Sequence, residues 1–219
     1  MSQLARPTPE DLGPAVADPR SRPLTLAGLR ELLERFPRTE IAPGPDLRRA
    51  AVALTLLDVS TTPRVLVIKR AARGRNAGQW ALPGGRLEPG ENSVGAALRE
   101  AFEEVGLRDA RVAGLLDDLV AASGFVITPV VAVAPEPVRL TRNPAEVHSL
   151  HPIALGRLLD DRVRRWSTGA DGIRVQQLLL RHDMVVHPPT GAILWQFREL
   201  LLGRHTRVGG LEQPVWTHR

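Results

Sequence analysis

Three glutamates, Glu100, Glu103 and Glu104, fall inside one five-residue window of the chain. On a helix turning 100° per residue they share one side. Leu98, Ala101, Phe102 and Val105 form an apolar stripe on the other, at the i, i+3, i+4, i+7 spacing. Carboxylates in the last turns of a helix meet the partial negative charge of its C-terminus, and like charges one turn apart repel. Two arrangements tolerate these costs, a solvated acidic face or a bound divalent cation. The chain has no cysteine, and no histidine lies near the window, so a cation here would have hard oxygen ligands, which favour Mg²⁺ or Mn²⁺ over zinc. The flanking residues extend the pattern. Gly84 and Gly85 let backbone approach a ligand closely, Glu91 precedes the helix, and Arg99 stands four residues before Glu103, where it can hold that carboxylate.

The whole stretch 83–107, PGGRLEPGENSVGAALREAFEEVGL, resembles the Nudix box. Gly85, Glu91, Arg99, Glu100, Glu103, Glu104 and Gly106 fill its fixed positions, and Ala101 is small where an aliphatic residue is usual. The resemblance implies an α/β fold, an α/β/α sandwich with a mixed β-sheet in which the box forms a loop–helix–loop. It implies an enzyme that uses Mg²⁺ or Mn²⁺ to hydrolyse a nucleoside diphosphate linked to another group. By position, Glu100 and Glu104 are the principal metal ligands, Glu103 is a third or water-mediated one, and the Gly85 carbonyl completes the shell. Glu91, Arg99 and Gly106 are structural members of the box. Glu100, Glu103 and Glu146 stand as alternative catalytic bases, Glu146 from its place in a later loop.

The segment before the box is similar to the extra motif of the coenzyme A pyrophosphatase branch. It runs Leu66-Val67-Ile68-Lys69-Arg70-Ala71, then Arg73, Arg75, Gly78 and Leu82-Pro83-Gly84-Gly85. Leu82 replaces the branch's Phe, and the interval from Arg75 to Gly78 is one residue short. Guanidinium groups fork onto phosphate oxygens, so Arg70, Arg73 and Arg75 are candidate substrate-binding residues, against the reading of a solvated basic turn. The expected substrate is CoA or an acyl-CoA, cleaved to 3′,5′-ADP and 4′-phosphopantetheine. ADP-ribose, dinucleotide polyphosphates and oxidised nucleotides are alternatives, as is a non-catalytic nucleotide-sensing module.

These residues need elements to position them. Thr25 reads as the cap of a short helix carrying Leu29, Leu32, Leu33 and Phe36. Ala51–Leu57 and Val65–Ile68 read as strands joined by a turn at Ser60–Pro63. A helix over Ser93–Val105 ends at Gly106. Val112–Val120 and Phe125–Val133 are further strands, and Ile153–Leu159 is a short helix. Val175–Leu180 and Met184–Val186 form one long strand or a bent pair, and Ile193–Leu202 is a last helix. Residues 1–23 read as a flexible tail, 24–205 as one domain with the helix 24–36 appended, and 206–219 as a second tail. Trp195, Phe197 and Leu201 read as core, Trp80 as cleft lining or loop packing, and the Arg162–Arg165 run as a solvated face.

Composition narrows the classes. The 219 residues are 43% hydrophobic and 24% charged, enough for a packed core. The absence of cysteine excludes disulfides and thiolate catalysis. Net charge is +5, and Lys69 is the only lysine. With aromatic residues at 4% and no tyrosine, a base-stacking platform for single strands is poorly supplied. No apolar run is long enough to span a membrane. The expectation is a cytoplasmic enzyme whose partner is a small nucleotide, with no nucleic acid or membrane partner.

Overall fold

The computed structural model describes residues 24–42, 44, 47–72, 76–168, 172 and 174–208. The proposed flexible tail 1–23, and residues 209–219 of the C-terminal one, lie outside these. So do Arg73 and Arg75.

The largely apolar run RRAAVALTLL forms β1 (Arg48–Leu57), the centre of a mixed sheet. It runs parallel to β7 (Phe125–Val133) along nine paired residues from Arg48↔Phe125 to Leu56↔Val133. Its hairpin partner β2 (Arg64–Arg70) pairs with it only at Leu56↔Val65 and Leu57↔Arg64, after which the two strands part. The wedge between them is filled by two short strands that no strand pattern in the sequence marks. β3 (Trp80–Ala81) pairs with β2, and β4 (Gly84–Arg86) pairs with β1. The other edge of β2 carries β8 (Val147–Ala154), antiparallel throughout. β5 (Arg111–Leu115) and β6 (Leu119–Val120) both pair with β7.

Helix α2 (Ser93–Val105) packs on one face. Asn92 caps it by accepting from the Gly95 N–H at 2.8 Å, and Gly106 ends it with φ +68°. A Cβ on Gly106 would also lie 3.1 Å from the Thr141 backbone. The opposite face carries α1 (Leu26–Glu34), α4 (Thr190–Leu201) and a second sheet of β9 (Arg164–Thr168), β10 (Arg174–Arg181) and β11 (Met184–Val186). The architecture is the expected α/β/α sandwich with a mixed sheet.

Several boundaries differ from expectation. The strand expected over Val112–Val120 breaks at Leu116–Asp118, because Asp117 and Asp118 turn inward. Asp118 accepts from Arg38 at 2.8 Å and Arg49 at 3.2 Å, and Asp117 from Arg207 at 2.8 Å. The helix expected over Ile153–Leu159 shrinks to α3 (Leu155–Leu158), and the residues before it belong to β8. Pro152 is tolerated there because β8 is an edge strand. The arginines of the Arg162–Arg165 run are exposed, but Val163 between them is buried, and Arg164 and Arg165 open β9. Residues 206–208, assigned to the tail, lie against the domain: the Thr206 carbonyl accepts from Gln196, and Val208 is buried.

Candidate active site

The inner face of α2 is not the stripe its spacing indicated. Phe102 is 42% exposed, with the Arg108 guanidinium 4.1 Å from its ring centre. The buried residues are Ala96, Ala97, Ala101, Glu104 and Val105. The reason is packing distance. Alanines on α2 meet Ala51 and Ala53 of β1, so helix and sheet approach closely and a bulky Phe is turned out. That rotation carries Glu104 inward until it is 1% exposed.

Buried, Glu104 keeps two polar neighbours. Its Oε2 accepts from the Gly84 N–H at 3.1 Å, and its Oε1 lies 3.6 Å from Nη1 of Arg70. Desolvation pushes its carboxyl up to about 7, partly countered by Arg70 and the Gly84 N–H. Glu100, half-buried one turn earlier, has its carboxyl raised by burial and lowered in part by Arg99. Glu146 arrives from the far side. The Asn143 N–H donates to the Glu104 carbonyl at 2.8 Å, which docks this loop on the end of α2. The Ala71 N–H donates to the Glu146 carbonyl at 2.8 Å, which ties it to the end of β2. Carboxylate oxygens of Glu100, Glu104 and Glu146 consequently all lie within 4.8 Å of one another.

Glu103 stands outside this group. It is exposed, and it accepts from Arg99 at 3.1 Å. Arg99 is a hub. It donates to both oxygens of Glu91 at 3.0 Å, to Glu100 at 2.9 Å and to the Arg86 carbonyl at 3.0 Å. Glu91 also accepts from the Glu88 N–H at 2.9 Å, and the Arg99 bond holds its carboxyl below the usual range. Loop and helix are thus joined through one guanidinium. Arg99→Ala is expected to cost roughly 1–3 kcal/mol of stability, since it frees Glu91, Glu100 and Glu103 together. Glu100→Gln should leave the melting temperature nearly unchanged. Thermal melts that rank the two variants the other way round would overturn this division of labour.

Both glycines are also required by the protein's own packing. Neither Gly84 nor Gly85 has a positive φ. A Cβ on Gly84 would overlap the Ala51 carbonyl, and one on Gly85 would overlap the Glu100 carboxylate. Trp80 borders a cavity of about 440 Å³ together with Asn76, Gln79, Val185, His187 and Thr190. Its ring also meets His151 edge-on, with centroids 4.8 Å apart. Trp195, Phe197 and Leu201 are core residues, as read from sequence.

The three clustered carboxylates offer oxygen donors alone, a set suited to Mg²⁺ or Mn²⁺. Glu104, whose ionised form is disfavoured by burial, is the member a cation would relieve most. A sandwich that presents such a cluster from a glycine-led loop and a helix defines a class of hydrolases acting on diphosphate bonds. A model of the NUDIX domain matches residues 46–162, more than half the chain, and the chain belongs to that family. An uncharacterized Nudix hydrolase of Photorhabdus laumondii, NudL, is 34% identical over 142 residues, 61% of this chain and 75% of that protein. Its Yersinia enterocolitica counterpart is 35% identical over 58% of this chain and 68% of its own. The crystal structure of a MutT/nudix family protein from Enterococcus faecalis superposes with a TM-score of 0.53 at 18% identity, covering 82% of this chain and 71% of that one, a likeness of fold alone. The protein is a Nudix hydrolase acting on pyrophosphate bonds. Among the described residues no helix is long and apolar enough to cross a membrane.

Proposed function

We propose that this Nudix hydrolase cleaves the diphosphate of CoA or an acyl-CoA, giving 3′,5′-ADP and a 4′-phosphopantetheine product. The observation that carries the reading is the position of Arg70. The segment that resembles the CoA-specific motif ends its strand with a guanidinium 3.6 Å from Glu104, at the edge of the acidic cluster. Phosphates lying on that cluster meet Arg70 directly.

Glu100 and Glu104 would hold Mg²⁺ or Mn²⁺, with the Gly85 carbonyl as a further ligand, and Glu146 stands within reach of the same site. When bound, the metal would neutralise the charge of the diphosphate and make its phosphorus accessible to water. The chain's own residues do the rest. Arg99 fixes Glu100 and occupies Glu103, so Glu103 acts through the hub. The Gly84 N–H orients Glu104. Glu146, exposed at the rim, accepts the proton of the attacking water as the P–O bond to the leaving phosphate breaks.

CoA carries a 3′-phosphate that dephospho-CoA and ADP-ribose lack. Charge-assisted contacts to it are worth roughly 1.5–3 kcal/mol each, so dephospho-CoA is expected to be the poorer substrate by about ten- to a hundredfold in kcat/KM. Arg73 and Arg75, beyond the described residues, are the side chains assigned to that phosphate. Their alanine variants should erase the preference and keep hydrolysis. The test is a panel of CoA, dephospho-CoA, ADP-ribose, a dinucleotide polyphosphate and an oxidised nucleoside triphosphate, with products read by mass spectrometry. Much faster turnover of any non-CoA member overturns the substrate and leaves the hydrolase.

A further inference from the structure

The two arginines of the site are held in opposite ways. Arg99 spends its guanidinium on four acceptor groups. Arg70, among the described residues, makes no side-chain hydrogen bond. Its close polar partner among those residues is Glu104, at 3.6 Å, beyond hydrogen-bond range, and its side chain is 30% exposed. Its backbone, in contrast, is fixed. The Arg70 N–H donates to the Gln79 carbonyl at 2.9 Å, and the residue sits in register with Val147 of β8, next to Glu146. A rigid base therefore carries an unanchored cation beside a carboxylate that is 1% exposed.

We infer that Arg70 is an exchangeable counter-ion: it offsets part of the buried charge of Glu104 while the acidic cluster holds no metal, and gives way to the metal to face the substrate's phosphates. The inference rests on the metal reading given above and adds a role in the free enzyme. A buried carboxylate needs a compensating charge, and among the described residues Arg70 is the cation that supplies it to Glu104. A divalent ion on Glu104 takes over that compensation and repels the guanidinium. With no hydrogen bonds to break, the side chain moves outward cheaply, to the side from which a diphosphate arrives. Arg99 cannot do this, because its release would unfasten the loop from the helix.

The test is Mn²⁺ binding to the full chain by titration calorimetry, for wild type, Glu104→Gln, Arg70→Met and Arg70→Lys. Wild type should bind, and Glu104→Gln should lose that binding. Arg70→Met should bind Mn²⁺ roughly tenfold tighter than wild type, because no cation has to be displaced. Its metal-free form should melt lower, and at saturating metal its KM for substrate should rise about tenfold with kcat changed far less. Arg70→Lys keeps the charge and should keep the wild-type metal affinity. Equal or weaker Mn²⁺ binding by Arg70→Met overturns the counter-ion role and leaves the metal reading intact, as does tightening by Arg70→Lys to the same extent. Wild type that binds no Mn²⁺ overturns both.

Discussion

Glu104→Gln and Glu100→Gln are each expected to lower turnover on the order of a thousandfold while leaving the fold intact. Charge neutralisation at a phosphoryl centre is worth several kcal/mol in the transition state, and each ~1.4 kcal/mol is a factor of ten. Glu104 carries a second signature, in stability. A carboxyl whose pKa is raised on folding favours the folded state only while it keeps its proton. That contribution is complete below the unfolded value near 4.5 and is lost as the pH rises through about 7. At pH 8 the ionised carboxylate costs the metal-free protein on the order of 3 kcal/mol. The glutamine amide is neutral, and its oxygen can still accept from the Gly84 N–H. Metal-free Glu104→Gln should therefore melt above wild type at pH 8, and the difference should shrink toward pH 5. Mg²⁺ should raise the melting temperature of wild type and not of the variant. Undiminished turnover by both variants, or full wild-type activity in excess chelator, would sink the metal assignment. A metal-free wild type that outlasts Glu104→Gln at pH 8 would show that Arg70 offsets the buried charge in full and not in part.

Alanine at the two adjacent glycines should give opposite outcomes. At position 84 the new methyl group meets backbone, overlapping the Ala51 carbonyl and coming within 2.7 Å of Val52 Cα. Neither atom can move without disturbing the pairing of β4 with β1. Gly84→Ala should cost roughly 1–3 kcal/mol or more. At position 85 the methyl group meets the Glu100 carboxylate, the free end of a flexible side chain. The chain can relieve that overlap by turning Glu100 aside, which spares the fold and misplaces a metal-binding group. Gly85→Ala should lose about ten- to a hundredfold in activity, as expected for an ångström-scale displacement, with a melting temperature close to wild type. Denaturant melts and initial rates on the two purified variants separate these effects. A Gly85→Ala protein that loses stability and keeps its activity would place Glu100 outside the reaction.

The chemistry of this protein was legible in local spacing. One stretch, residues 83–107, carries the loop, cap, helix and stop in an order that local rules recognise, and the helix runs over Ser93–Val105 as its boundary residues indicate. Arg99 reaches Glu103 as an i, i+4 neighbour must. What spacing could not give was the rotation of that helix. Hydrophobicity ranks Phe102 as core and Glu104 as surface, but the outcome turned on how closely alanines let α2 approach β1. A helical wheel has no depth, so it cannot show that a small residue brings its neighbour into the interior. Nor could spacing join Glu146 to the cluster. It lies 42 positions beyond Glu104 in the chain, and its place follows from β8 pairing with β2 and from the Asn143 bond to the helix end. β8 itself was hidden, since its histidines, serine and Pro152 do not alternate as a half-buried strand does. Spacing set Arg99 in the box and Arg70 among the substrate-binding cations, but not how firmly each guanidinium is held. Only the tertiary structure decided that, because whether a guanidinium is anchored depends on acceptors that distant elements bring to it.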